Sequence, residues 1–140
     1  MAAKQKPEFS VISADVINFN RLLDEASQDK LVLVDVHQEW SGPTGAIMPF
    51  LNQLWVDLED ANQKIFLASL ALDEGNPANP ALVKRLQQLV DPEVKVANQG
   101  CKPLFMLLKG GLCVATVDGM NAPALKMYLT LHLPKPQAKK

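Results

Sequence analysis

Leu31-Val32-Leu33-Val34-Asp35-Val36-His37-Gln38-Glu39-Trp40-Ser41-Gly42-Pro43-Thr44 is the stretch on which the reading of this chain turns. Its first six residues form an almost unbroken β-branched and apolar run. That pattern belongs to a central strand covered on both faces. Asp35 is the anomaly in it. A carboxyl buried there is either a proton carrier or, as weighs more, an inherited polar residue held by water or by Ser69. From Trp40 to Thr44 the chain turns toward a helix, with Ser41 expected as the N-cap and Thr44 in the first turn. Ile47, Phe50, Leu51, Leu54 and Leu58 supply the apolar stripe of that helix, with Trp55 beside it. Pro49 falls inside the stripe and predicts one long helix kinked near its first third.

Working outward, Ser13 stands as an N-cap before Val16, Phe19, Leu22, Leu23 and Ala26 at helical spacing. Residues 1–9 are polar and expected to be flexible. Downstream, Ile65 to Leu72 is a second buried strand, and Asn79-Pro80 reads as a cap plus an N1 proline for a helix bearing Leu82, Leu86, Leu89 and Val90. Leu104 to Leu108 is a third strand. Lys109-Gly110-Gly111 turns it into Leu112 to Val117, an antiparallel hairpin. Asn121-Ala122-Pro123 opens a last helix carrying Leu125, Tyr128 and Leu129, while Met48, Trp55 and Met127 are read as core or near-core. The basic tail 134–140 is expected to be flexible. Helices between the early strands imply parallel pairing there. The residues therefore predict one α/β domain over 10–133, a mixed sheet of four to five strands with a C-terminal hairpin and helices on both faces.

Composition narrows the function. At 140 residues the chain can build one core, and 48% hydrophobic against 21% charged residues excludes a mostly disordered chain. A net charge of -1 offers no basic field for nucleic acid. No apolar run is long enough to cross a membrane, and the N-terminal residues lack a signal-like stretch. Two cysteines, Cys101 and Cys113, point to a reducing compartment rather than a disulfide scaffold. Together with His37 and His132 they lack the short ligand pairs of a zinc site, so neither metal nor cofactor is expected.

The stretch Val34 to Thr44 resembles the thioredoxin active site, W-C-G-P-C after a strand bearing a buried Asp. Pro49, Pro103 (where the family places a cis-proline), Gly111 and Gly119 match that family in order, from about Val11 to Leu133. Asp35-Val36-His37-Gln38-Glu39-Trp40, Gly100-Cys101-Lys102-Pro103 and Gly119-Met120-Asn121-Ala122-Pro123 are similar to the thioredoxin modules of ciliary axonemes. Those include thioredoxin-type dynein light chains and thioredoxin–nucleoside diphosphate kinase proteins. No N-x-x-H-G kinase pattern accompanies them.

Against that family, Ser41 and Thr44 replace both redox cysteines, and Ser69 replaces a frequent lysine. The stretch from Asp73 to Pro103 is longer by about fifteen residues, against usual connections of about 4–6. Thiol exchange needs a low-pKa thiolate and a resolving thiol. The resemblance thus implies a redox-inactive binding module, not an enzyme. Its former active-site groove, formed by Trp40, Ser41, Gly42, Pro43, Lys102, Pro103 and Gly119, would hold a segment of a larger chain and be widened by residues 76–99. The implied partner is an axonemal dynein heavy or intermediate chain, in the cytoplasm of a cilium or flagellum, with no small-molecule substrate. His37 is expected as a surface contact and Cys113 as packing. Two rivals stand beside this: a monothiol redox protein working through Cys101, and a chaperone-like peptide holder.

Overall fold

All eight residues of β2 (Leu31–Gln38) are buried. The computed structural model describes residues 6–43, 45–96 and 102–133. Successive side chains of a strand point to opposite faces, so β2 feeds two cores. Val32, Val34 and Val36 join Phe19, Leu82 and Met106 in one cluster. Leu31 and Leu33 join Leu51, Phe105 and Leu125 in the other.

The remaining strands are β1 (Ser10–Val11), β3 (Ile65–Leu72), β4 (Leu104–Lys109) and β5 (Leu112–Asp118), in the sheet order β1-β3-β2-β4-β5. β1 and β2 both run parallel to β3, whereas β4 is antiparallel to β2 and to β5. Chemistry explains the difference. β2 and β3 are joined through helices, whereas β4 and β5 are joined by Gly110 and Gly111 at φ 61° and 81°. Two successive left-handed residues make the tight turn of a hairpin, which glycine enters without steric cost.

The helices are α1 (Val16–Arg21), α2 (Ser27–Asp29), α3 (Ile47–Asp57), α4 (Ala61–Lys64), α5 (Asn79–Leu89) and α6 (Ala122–His132), with a π-helical stretch, Leu22–Ala26, between the first two. α1 and α5 cover the first cluster; α3 and α6 cover the second. Ahead of the sheet, Pro7 is buried and Phe9 packs on the second cluster.

Several local expectations are corrected. Asp15, not Ser13, caps α1: its Oδ1 accepts the Asn18 N–H at 2.7 Å, and these Asn18 hydrogen bonds hold its carboxyl below the usual range. The described residues after β2 are non-helical until Ile47, so Pro49 lies in the first turn of α3, where its missing N–H disturbs no intrahelical bond. The result is one eleven-residue helix in place of a long kinked one. Ala78 rather than Asn79 holds the N-cap position of α5. Met127 is 54% exposed because Leu125 and Leu129 take the inward face and a residue between them is turned roughly 200° away. Asn121 does cap α6, accepting the Ala124 N–H at 3.1 Å.

Ser27 ties the first helical layer to the hairpin. Its carbonyl accepts the Gly110 N–H at 2.8 Å and its hydroxyl accepts the Gly111 N–H at 2.9 Å while donating to the Leu23 carbonyl. Ser27 is 1% exposed, and removing its hydroxyl leaves the part-buried Gly111 N–H without its acceptor. Ser27→Ala is expected to cost about 1–3 kcal/mol, read as a lower urea midpoint at unchanged slope.

Candidate functional site

Four chain segments converge where β2 and β3 end and β4 begins. Gln38 is level with Leu72, Val36 with Leu104, and Leu104 with Asp118. The residues after β2, after β3, before β4 and after β5 therefore share one end of the sheet. Short backbone bonds hold them: the Glu39 N–H donates to the Leu72 carbonyl at 2.9 Å, and the N–H groups of Ser41 and Gly42 both donate to the Gln38 carbonyl at 3.0 Å. Gly42 has φ 74°, a conformation a Cβ disfavours. This reversal leaves Trp40 70% exposed. Ser41 and Pro43 are exposed beside it.

Lys102, Pro103 and Gly119 form a second group at the same end. Gly119 donates its N–H to the Pro103 carbonyl at 2.8 Å, and a Cβ at Gly119 would lie 3.8 Å from Lys102 Cδ. Pro103 is buried and Lys102 exposed. The Lys102–Pro103 bond is trans, unlike the cis-proline that the family resemblance places here. The Pro103 carbonyl accepts the Gly119 N–H and so is engaged within the chain. Of the long segment before Pro103, α5 covers the sheet, its Arg85 Nε donating to Asn20 Oδ1 at 2.9 Å. Among the described residues of that segment, Glu93, Val94 and Lys95 line a hollow with Lys102, Leu104, Thr116 and Asp118. Gln87 holds them there, donating through Nε2 to the Val94 carbonyl at 2.6 Å and accepting the Val96 N–H at 3.2 Å. Thr44 and Cys101 lie outside the described residues.

Ser41 is not a helix cap, because α3 starts six residues later. Its hydroxyl is hydrogen-bonded to no histidine or carboxylate among the described residues, which leaves it without an activating base. Beneath the turn lies a pair that sequence reasoning did not join. Asp35 is 1% exposed and His37 7%, with Asp35 Oδ1 3.5 Å from His37 Nδ1. The same nitrogen is 3.3 Å from the Asp35 carbonyl oxygen. His37 is thus not a surface contact. As residue i+2 from Asp35 it shares the strand face that carries Leu33, the face covered by α3 and α6. Ser69 is level with Asp35 across the sheet, yet Asp35 Oδ1 has no hydrogen-bond partner. The i, i+2 spacing on a buried strand was the available signal.

Cys113 packs on the first cluster at the hairpin end, its thiol 3.4 Å from the Ala115 carbonyl. Burial pushes it up to about 11 from 9.0, against smaller opposing hydrogen bonds. A raised thiol pKa favours the folded state below the unfolded value and loses that contribution as pH rises. Native Cys113 is therefore expected to resist iodoacetamide at pH 8 and to react freely in urea, with stability falling between pH 9 and about 11. Buried polar groups that are incompletely hydrogen-bonded, exchanged for well-packed apolar ones, commonly gain stability. Asp35→Leu/His37→Phe is expected to raise unfolding free energy by about 1–4 kcal/mol; a lower urea midpoint would mean the pair holds the strand end together.

No family model matches the chain. Over 100 residues it is 30% identical to the 14 kDa light chain of the flagellar outer-arm dynein of Chlamydomonas reinhardtii, covering 71% of this chain and 64% of that one. Over 124 residues it is 30% identical to human thioredoxin domain-containing protein 3, covering 88% of this chain and 18% of that one. The matched region thus spans less than two thirds of each relative's own length. Among solved structures, thioredoxin O2 of Arabidopsis thaliana superposes with a TM-score of 0.57 at 16% identity, covering 93% of this chain and all of that one. At that identity the superposition speaks for the fold alone. The β1-β3-β2-β4-β5 sheet between two helical layers, these sequence matches and that superposition agree: the chain belongs to the thioredoxin-like family.

Proposed function

We propose that this chain is a binding module without disulfide-exchange activity, a light-chain-like subunit of a ciliary or flagellar dynein complex. The observation that carries the reading is Trp40, 70% exposed at the sheet end where the family resemblance puts the active site. A large aromatic held out on a tightly bonded turn loses little freedom on docking, and such residues dominate interface energies. Trp40, Ser41, Gly42 and Pro43 form one side of the docking surface; Lys102, Pro103 and Gly119 form the other. The occupant is a segment of a dynein heavy or intermediate chain.

Two facts support the absence of redox chemistry. Ser41 stands in the turn without a base, and disulfide exchange needs a reactive thiolate with a second thiol to resolve it. The one thiol among the described residues, Cys113, is level with Leu108, and Leu108 with Val32 near the start of β2. That is the far end of the sheet from Trp40. The similarity to a flagellar outer-arm light chain supports the axonemal location, and no helix among the described residues is long and apolar enough to cross a membrane.

The test is affinity capture from a high-salt ciliary extract on the immobilised full chain. Capture of one dynein chain at near-equal stoichiometry, weakened about 30-fold by Trp40→Ala, is the expected result, since an interface anchor of this type contributes about 2 kcal/mol or more. Lys102→Ala, which removes the side-chain stem from the opposite side of the surface, is expected to weaken it as well, and Cys101→Ser to leave it unchanged. Release by thiol reductant, or loss with Cys101→Ser, would transfer the function to a monothiol at Cys101.

A further inference from the structure

The charges around Trp40 are unevenly placed. Glu39 precedes it and is exposed; Asp73 and Glu74 follow β3 and are exposed. Gln38 is level with Leu72, and the Glu39 N–H donates to the Leu72 carbonyl, so Glu39 and Asp73 leave neighbouring parallel strands side by side. None of the three carboxylates makes an ion pair among the described residues. The Asp73 carboxylate is held in place by the Gly75 N–H at 2.9 Å. The lysines that border these strands are elsewhere: Lys30 and Lys64 precede β2 and β3, and Lys109 ends β4, all at the opposite end of the sheet. Lys95 and Lys102 sit on the β4–β5 side of the site, along the hollow with Asp118.

An indole face attracts a cation, most often a guanidinium, and unpaired carboxylates beside it steer and orient the same charge. We propose that the segment docking over Trp40 is basic: an extended stretch of a protein partner with one arginine stacked on the indole and further arginines or lysines beside Glu39, Asp73 and Glu74. This rests on the reading of Trp40 as a docking anchor, and it adds the partner's chemistry and its direction. The basic residues cross the β3 side, away from Lys102. An acidic segment meets like charge at that rim and is rejected.

The experiment titrates the full chain with three twelve-residue peptides that share one central leucine and differ in carrying four arginines, four serines or four glutamates. Tryptophan emission reports binding at Trp40, because Trp55 is 3% exposed with its Nε1–H on Asn62 Oδ1 at 2.9 Å. A Trp40→Phe chain supplies the blank. The expected result is saturable binding of the arginine peptide at least tenfold tighter than the serine peptide, with the glutamate peptide weaker still. The gap closes at 0.5 M salt, roughly the range where screening reaches a few ångströms. It closes also in Glu39→Gln/Asp73→Asn/Glu74→Gln. The amide oxygen introduced by Asp73→Asn can still accept the Gly75 N–H, so the turn is kept. Equal binding of all three peptides, or a gap that survives the triple variant, overturns the basic-segment inference and leaves the Trp40 surface as a docking site. No response of Trp40 emission to any peptide overturns both.

Discussion

The constraint on which everything else depends is the burial of β2 on both of its faces. A strand with side chains alternating between two cores cannot slip by one residue without exchanging the cores. Val32, Val34 and Val36 commit one face to α1 and α5, and Leu31 and Leu33 commit the other to α3 and α6. β3 and β4 are then fixed on either side of it by full ladders of hydrogen bonds. The two edges are treated differently. β1 is only two residues long, which limits what can pair with it, whereas β5 carries an irregularity beside Leu107 and Leu108 that twists the ladder locally.

The same alternation places the site. Because β2 keeps its register up to Gln38, the side chains of Asp35 and His37 are driven to the α3 side, where with Ser69 they are buried polar groups in a mainly apolar layer. Asp35 Oδ1 has no hydrogen-bond partner among the described residues, and burying such a group opposes folding. The chain then leaves the sheet through a turn whose Glu39, Ser41 and Gly42 amides are bonded back to Gln38 and Leu72. The turn is thus rigid in its backbone while its largest side chain, Trp40, finds no core to enter. Rigidity with an exposed aromatic suits binding better than chemistry, because the ordering has been completed before a partner arrives.

Charge adds direction to that surface. Loops at the ends of neighbouring parallel strands necessarily emerge together, so Glu39 and Asp73 become neighbours although they lie far apart along the chain. Of the long segment before Pro103, α5 covers the sheet with Leu82 and Leu86 fully buried, and Glu93 to Lys95 line a hollow with Lys102. Residues 97–101, which complete that segment, lie outside the described residues.

Sequence alone determined those features that local chemistry dictates. The bounds of β3, the cores of β2 and β4, the Gly110–Gly111 hairpin and the opening of the last helix at Asn121-Ala122-Pro123 were legible because apolar runs, paired glycines and an Asn two residues before a proline act over a few positions. The order of those signals led to the family, since the turn after β2, Pro103 and Gly119 recur as spacings. Tertiary structure decided the rest. Asp15 outcompetes Ser13 as a cap because the cap is chosen by where the backbone departs from the helix, not by residue type. α3 begins at Ile47 because the turn is first bonded back to Gln38. His37 is buried, Met127 is exposed and Ser27 clamps a hairpin 84 positions away, since each outcome depends on which elements pack together. A periodic pattern states that a face is apolar; only the packed sheet states what lies against it, and at Trp40 it leaves most of the residue uncovered.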